Sequence, residues 1–139
     1  MHAAPLTFRE RHRLTHAREF EAVYLAKCRK QRGAIMVFTK PNGLDWPRLG
    51  LSVSSRVGGA VVRNRFKRLI REAFRLRQHE FAPAPDGGGY DLIVSVRGDR
   101  IPALNPLQTT LLELVNEADT EWRRRARQES AAQAPEAQA

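Results

Sequence analysis

Residues 62–77, VRNRFKRLIREAFRLR, carry the pattern that decides the fold of this chain. At about 100° per residue, its apolar side chains fall on one side of a helix: Val62, Phe66, Leu69, Ile70, Ala73 and Phe74. The polar residues on the opposite side are Asn64, Lys67, Arg68, Arg71 and Arg75, and Arg63 and Arg65 flank the first turn. The pattern predicts an amphipathic helix from about Val62 to Arg77, packed on a sheet with its basic side facing outward.

The charge on this helix is almost entirely positive, since Glu72 is its one acidic residue against seven basic residues from Arg63 to Arg77. Lys67, Arg71 and Arg75 follow one another at i, i+4 spacing, where like charges repel by about 0.2–0.5 kcal/mol per pair. Cations near the N-terminus of a helix also oppose its dipole, at about 0.3–1 kcal/mol each. A solvated face is the ordinary alternative, but such faces tend to mix both signs. Binding of an anion would offset both penalties, which a solvated face would not. Nucleic-acid phosphates are suitable anions, because arginine guanidinium groups can donate two hydrogen bonds to their oxygens.

The whole chain is strongly basic, with 24 Lys and Arg against 15 Asp and Glu in 139 residues and a formal charge of +9. This length fits one compact domain, and an apolar share of 42% is enough for a core. The charge excess opposes folding unless an anionic partner binds, and nucleic acid is the commonest such partner. A basic surface that serves only solubility is the alternative, but it fits dispersed charge better than clustered charge.

Residues that carry chemistry are sparse. Cys28 is the only cysteine, so neither an internal disulfide nor a Cys/His zinc site is expected. No carboxylate cluster, nucleophile constellation or glycine-rich phosphate loop stands out, and whether the chain ligates any metal is left open. No apolar run approaches the ~18 residues of a membrane span, and the N-terminus lacks an apolar signal core. We therefore expect a cytoplasmic binding protein without an active site of its own.

Further helices and strands are expected on both sides of the basic helix. They are a helix from His16 to Lys27 capped by Thr15, strands Ala34–Lys40, Arg48–Ser54 and Tyr90–Arg97, and a last helix capped by Asn105 with Pro106 in its first turn. The first two strands are expected to pair as an antiparallel hairpin with a long loop. The third contains the continuous apolar run Leu92-Ile93-Val94, which predicts burial on both faces and a central place in the sheet.

One domain is predicted over residues 15–127, with a basic, extended N-terminal arm over 1–14 and a disordered tail over 128–139. The positive charge from Arg123 to Arg127 lies near the end of the last helix. The helix dipole favours cations there, so a structural role and an RNA-binding role are equally good explanations.

The aromatic residues Phe20, Tyr24 and Phe38 raise a second open question. If the first helix packs beside the sheet, these side chains can line a cleft next to the basic helix and stack on unpaired bases. Core packing is the alternative for each of them taken singly.

The run from Gly58 to Arg75, GGAVVRNRFKRLIREAFR, resembles the defining motif of the bacterial ribonuclease P protein subunit. The stretch Arg48–Ser54 is similar to the strand before that motif, and Tyr90–Arg97 to the strand after it, so that the match covers roughly residues 8–122. The resemblance implies an α+β, ribosomal-protein-type fold in the order αβββαβα with a four-stranded mixed sheet. It also implies a left-handed βαβ crossover, against the usual right-handed rule, and a short extra strand near Cys28 to Gln31.

The resemblance further implies that the chain is the small protein cofactor of a ribozyme. The RNA subunit would perform the Mg2+-dependent removal of the 5′ leader from precursor tRNA, with the basic helix on that RNA and the leader in a central cleft. The helix positions that this assigns to RNA are Arg63, Asn64, Arg65, Lys67, Arg68 and Arg71, to which the basic face adds Arg75. The cleft positions are Phe20, Tyr24, Phe38, Ser52 and Arg56.

The chain departs from the family pattern at two places, and other functions are compatible with a basic helix. Ser55-Arg56 stands where family members usually have two lysines, so one cleft charge is missing, and Gly59 replaces a frequent Asn. An autonomous nuclease, a helix for anionic membrane surfaces, and a ribosomal-type or DNA-binding protein are the alternatives. Neither membrane nor DNA is expected as a partner.

Overall fold

A computed structural model describes residues 6–98, 100 and 102–133 of the chain. Its helices and strands are α1 (Ala17–Leu25), β1 (Arg29–Arg32), β2 (Ile35–Pro41), β3 (Arg48–Val53), α2 (Ala60–Arg77), β4 (Tyr90–Val96) and α3 (Leu104–Gln133). Short 3-10 turns occupy Glu10–His12, Ser55–Val57 and Gln78–Glu80. The order αβββαβα and the short extra strand β1 are as the family resemblance implies, and α2 begins two residues before the predicted Val62.

The sheet has the strand order β1-β2-β4-β3, with β4 antiparallel to β2 and parallel to β3. The predicted hairpin of β2 with β3 is therefore wrong, because β4 lies between these two strands. The prediction of a central β4 is confirmed, since Leu92, Ile93 and Val94 are each fully buried. A strand that is apolar on both faces buries most surface when it lies between two other strands. β4 therefore lies between β2 and β3, although these two strands follow one another in the sequence. β3, α2 and β4 form the expected βαβ unit, whose hand stays a prediction.

The two faces of the sheet pack against different helices. On one face, α2 and α3 bury Phe66, Phe74 and Leu111 against alternate residues of the strands, such as Val94. On the other face, α1 lies against β2 and β4 and buries Val23 on Ile93. We call these the α2 face and the α1 face of the sheet. Because side chains alternate along a strand, each strand residue can be assigned to one face from the register.

The N-terminal segment over residues 6–14 packs on the domain, which corrects the predicted extended arm; residues 1–5 lie outside the described residues. His12 is 2% exposed, and burial lowers the pKa of its imidazole. The ring of Phe8 stacks on His12 and meets Phe74 edge-on, so aromatic contacts hold the segment to α2. The backbone N–H of Leu14 donates to the carbonyl of Leu49, 3.0 Å away.

The caps of α1 and α3 differ from the predicted ones. The N-cap of α1 is His16 rather than Thr15, and a Glu19 carboxylate oxygen accepts from the backbone N–H of both residues. Helix α3 begins at Leu104, so Asn105 lies inside its first turn and does not cap it. Pro106 falls in the first turn as predicted, where its missing N–H costs no hydrogen bond.

Helix α3 continues through Gln133, so residues 128–133 are helical and the prediction of a disordered tail is wrong for them. Residues 134–139 lie outside the described part of the chain. Arg123 and Arg125 of this helix have structural partners. The Arg125 guanidinium lies 4.7 Å from the Trp122 ring centroid and donates to the carbonyls of Ala26 and Lys27 at the end of α1. Arg123 pairs with Asp119. These contacts favour the structural explanation of the two arginines.

The buried hydrogen bond from the Tyr90 hydroxyl to Asp119, 2.7 Å long, joins β4 to α3. We expect Tyr90→Phe to lower the free energy of unfolding by about 1–3 kcal/mol, because it leaves a buried carboxylate oxygen of Asp119 without its donor. Urea denaturation measures the change. Tyr24→Phe is the matched control, because Tyr24 is 39% exposed and its hydroxyl has no hydrogen-bond partner among the described residues. Equal losses in both variants would contradict the assignment.

Candidate RNA-binding surface

Helix α2 presents a row of cations to solvent because its apolar side is buried. Phe66, Ile70, Ala73 and Phe74 are each at most 1% exposed, as the sequence pattern predicts. Asn64, Arg65 and Arg68 are exposed on the other side, and Lys67 and Arg71 are half-buried beside them. Among the residues that the structure describes, these four cations form no ion pair. The outer side of α2 therefore carries uncompensated positive charge.

Two other predicted members of this surface have a different setting. Arg75 forms a two-point ion pair with Glu72, with N···O distances of 2.9 and 2.5 Å, and also donates to the carbonyl of Leu6. The hydrogen bonds from Arg75 lower the pKa of Glu72, so this pair stays charged at neutral pH. Arg63 lies nearer the buried side, and its Nε atom is buried without a hydrogen-bond partner in the described structure. The charge of Arg75 is thus partly compensated, unlike that of Arg68.

Arg13 is a member of the basic surface that the sequence analysis missed. Its guanidinium lies 4.9 Å from the ring centroid of Phe8, and with Lys67 and Arg71 it lines a cavity between the N-terminal segment and α2. Burial lowers the pKa of Arg71, and the charge of Arg13 lowers it further. The sequence does carry a signal here, since Arg9, Arg11 and Arg13 alternate in the segment predicted to be an extended arm, but nothing in the sequence shows where residues 8–14 pack.

The predicted aromatic residues meet on the α1 face of the sheet. Phe38 pairs with Ile93 in the register, and Ile93 pairs with Gly50. The ring of Phe20 lies directly over Gly50, where an added Cβ would come within 2.7 Å of the ring. Tyr24 meets Phe38 edge-on at 4.8 Å between centroids. Phe20 and Phe38 are half-buried against the small core below α1, so their rings serve the core and also border the open face.

Polar and basic side chains continue the same face about 7 Å further along the strands. Ser52 of β3 pairs with Ser95 of β4, and both belong to the α1 face because they lie two residues beyond Gly50 and Ile93. A cavity of about 460 Å³ is lined there by these serines together with Arg56 and Arg97. Arg97 is not among the cleft residues expected from the sequence, although it is the last residue of the predicted strand Tyr90–Arg97. It adds a second cation to the part of the cleft where the family pattern has two lysines.

An ion-pair network fixes α1 against this face. The Arg48 guanidinium donates to both carboxylate oxygens of Asp91 at 2.8 Å and to Glu19 of α1 at 2.5 Å. Because Glu19 precedes Phe20, the network sets the position of that ring over β3. The structure thus brings four predicted cleft residues together on one face of the sheet: Phe20, Tyr24, Phe38 and Ser52. Arg56 joins them because it lines the same cavity as Ser52.

Two further features are absent from the described part of the chain. Residues 6–98, 100 and 102–133 contain no cluster of three or more His, Cys, Asp or Glu side chains suited to a metal ion. No helix in those ranges is both long enough and apolar enough to span a membrane.

Comparison with known proteins identifies the family. The profile of the Ribonuclease P family matches residues 8–118. The ribonuclease P protein component of Pseudomonas aeruginosa is 40% identical over 129 residues, covering 88% of this chain and 87% of that protein. That of Azotobacter vinelandii is 38% identical over 117 residues, covering 83% and 81%.

Solved structures agree with the sequence comparison. The RNase P protein of Thermotoga maritima matches with a TM-score of 0.64 and 29% identity, over 76% of this chain and 96% of that one. The RNase P protein of Staphylococcus aureus matches with a TM-score of 0.64 and 28% identity, over 77% and 94%. The chain therefore belongs to the family of bacterial ribonuclease P protein components, the protein cofactors of the ribonucleoprotein endoribonuclease that processes tRNA.

Proposed function

We propose that the outer side of α2 binds the RNA subunit of ribonuclease P and that the α1 face of the sheet holds the single-stranded 5′ leader of precursor tRNA. Membership of the family implies partnership with both RNAs. The observation that carries the proposal is the row of unpaired cations on α2, of which Arg65 and Arg68 are exposed. Such a row gains free energy when phosphates replace its counterions.

The α1 face suits an unpaired strand better than a duplex. Tyr24 is 39% exposed, and the half-buried rings of Phe20 and Phe38 lie beside it. Flat rings stack on bases that are not paired, whereas paired bases are already stacked on one another. Beyond the rings, the hydroxyls of Ser52 and Ser95 can bond ribose 2′-hydroxyls, and Arg56 and Arg97 can bind phosphates. The order of aromatic, hydroxyl and cationic groups supports leader binding by this cleft.

Mg2+ belongs mainly to the RNA subunit in this proposal. No cluster of three or more His, Cys, Asp or Glu side chains lies among the described residues, so the proposal gives them no site that holds Mg2+ without oxygen ligands from RNA. This protein would therefore contribute binding and charge compensation, and the metal-dependent hydrolysis would belong to the RNA. The cytoplasm, where tRNA precursors are made in bacteria, is the compartment that follows from these partners.

Salt should weaken binding strongly if phosphates are the targets. Five phosphate contacts to single-stranded RNA predict a slope of log affinity against log salt of about −3.5, hence roughly a hundredfold loss between 50 and 200 mM. Filter binding or fluorescence anisotropy across a salt series measures the slope. A flat response would contradict an electrostatic interface.

Phe20→Ala should weaken binding of leader-bearing precursor tRNA by about tenfold while changing the affinity for mature tRNA little, because stacking contributes about 1–3 kcal/mol per base. The measurement compares the dissociation constants of both RNAs with the reconstituted ribonucleoprotein. Phe81→Ala is the control, since Phe81 is a half-buried ring that packs on Phe74 of α2, away from the α1 face. Equal effects of Phe20→Ala on both RNAs would show that Phe20 serves only the core.

Arg68→Gln should weaken binding of the RNA subunit more than Arg75→Gln does. Both side chains belong to the outer side of α2, but Arg75 already shares its charge with Glu72. We expect about a tenfold loss for Arg68→Gln, as for one charge-assisted hydrogen bond, and less than threefold for Arg75→Gln. Titration of the RNA subunit at fixed salt measures both. A larger loss for Arg75→Gln would mean that RNA displaces Glu72 from its partner.

A further inference from the structure

A cavity of about 190 Å³ lies where the N-terminal segment passes between β3 and α2. Its apolar walls include Phe8, Leu49 and Leu51, and its charged lining consists of Arg13, Lys67 and Arg71. Its lining contains no Asp or Glu. These cations come from two separate parts of the chain, so the cavity exists only because the N-terminal segment folds back onto α2.

The cations are held in the cavity at an electrostatic cost. The hydrogen bond from Leu14 to Leu49 fixes the backbone next to Arg13, and the ring of Phe8 lies under its guanidinium. Phe8 is itself anchored edge-on against Phe74 at 5.6 Å between centroids. Arg13 is exposed, so its guanidinium can move away only by giving up its contact with the Phe8 ring, and its charge acts on Arg71 across the cavity. Converging like charges beside apolar walls are stabilised by an anion placed between them.

We propose that this cavity binds one backbone phosphate of the RNA subunit, held jointly by Arg13, Lys67 and Arg71. Guanidinium groups donate in pairs to phosphate oxygens, and a lysine ammonium adds a further donor, so the three side chains match one phosphodiester. The proposal rests on the proposed function of α2 and extends it to the N-terminal segment. It makes Arg13 a binding residue and the fold of residues 8–14 part of the RNA interface.

The position of the cavity indicates the RNA subunit rather than the leader. Among its lining residues, Lys67 and Arg71 belong to α2, and Leu49 and Leu51 belong to the α2 face of the sheet and pack with the core below α2, whereas Leu14 packs with the small core below α1. The aromatic and serine side chains proposed for the leader lie on the α1 face, on the other side of the same strands. A phosphate in this cavity would therefore belong to the RNA that covers α2.

Inorganic phosphate tests the site without RNA. In 1H–15N spectra of the full chain, we expect the amide signals of Arg13, Leu14 and Arg71 to shift together along one saturable curve as phosphate is added. Arg13→Gln and Arg71→Gln should each weaken that binding about tenfold, and Arg13→Lys should restore most of it. Arg18→Gln is the control, because Arg18 is an exposed cation of α1 outside the cavity. Shifts that do not saturate, or that Arg13→Gln leaves unchanged, would overturn the site.

The RNA subunit tests the ligand. Arg13→Gln should weaken its binding about tenfold, Arg18→Gln less than twofold, and the double variant Arg13→Gln/Arg71→Gln by less than the product of the single effects, because both residues hold one phosphate. Independent, multiplicative effects would overturn the shared phosphate, and an Arg13→Gln effect no larger than the control would overturn the role of Arg13. If the wild-type chain failed to bind the RNA subunit, the proposed function would fall, whereas the phosphate titration would still decide the cavity. The spectra also show whether each variant is folded.

Discussion

The burial of the apolar side of α2 against the sheet and α3 determines how the molecule presents its charge. Phe66, Ile70 and Phe74 have almost no exposed surface, so the helix cannot rotate about its axis without exposing large apolar side chains to water. Arg65 and Arg68 are consequently held in solvent at fixed positions, although their mutual repulsion favours dispersal. A flexible basic segment would carry the same charge, but it would lose conformational entropy on binding that this helix has already lost on folding.

Strand β4 connects the two proposed RNA surfaces. Its residues alternate between the faces, with Val94 under α2 and α3 and Ile93 under α1. The aromatic cleft and the basic helix are therefore built on opposite sides of one rigid strand. The ion pair of Arg48 with Glu19 and the hydrogen bonds from Arg125 to the end of α1 further hold α1 in place. The relative positions of the two surfaces depend on packing inside one domain and on no linker.

Much of this architecture follows from local patterns in the sequence. The boundaries and the buried side of α2, and the central place of β4, are evident because helical and strand periodicity are properties of neighbouring residues. The predicted pairing of β2 with β3 is wrong, because the choice between β2–β3 and β2–β4 depends on where a strand that is apolar on both faces is best buried. The family resemblance supplied the order of elements and the short strand β1, which carries charged residues at three of its four positions and no apolar pattern.

The missed contributors to the candidate site share one property. Arg13 and Arg97 each lie at the end of a segment, and their relevance depends on what packs beside them. The i, i+3 spacing of Glu72 and Arg75 is compatible with an ion pair, but the excess of basic residues on the helix favours an uncompensated Arg75. The sequence pattern predicts that the last helix ends near Arg127, because the polar residues that follow lack an apolar stripe, but Ala, Glu and Gln are themselves good helix formers and α3 continues to Gln133.

The contact of Phe20 with Gly50 has a consequence for how sequences of this family can vary. The ring rests on bare peptide backbone, so the depth of the groove at this point depends on the two positions jointly. An alanine at position 50 is compatible only with a smaller or displaced side chain at position 20. We therefore expect these two positions to covary among relatives, and a chain that lost the glycine to have a shallower, less aromatic groove.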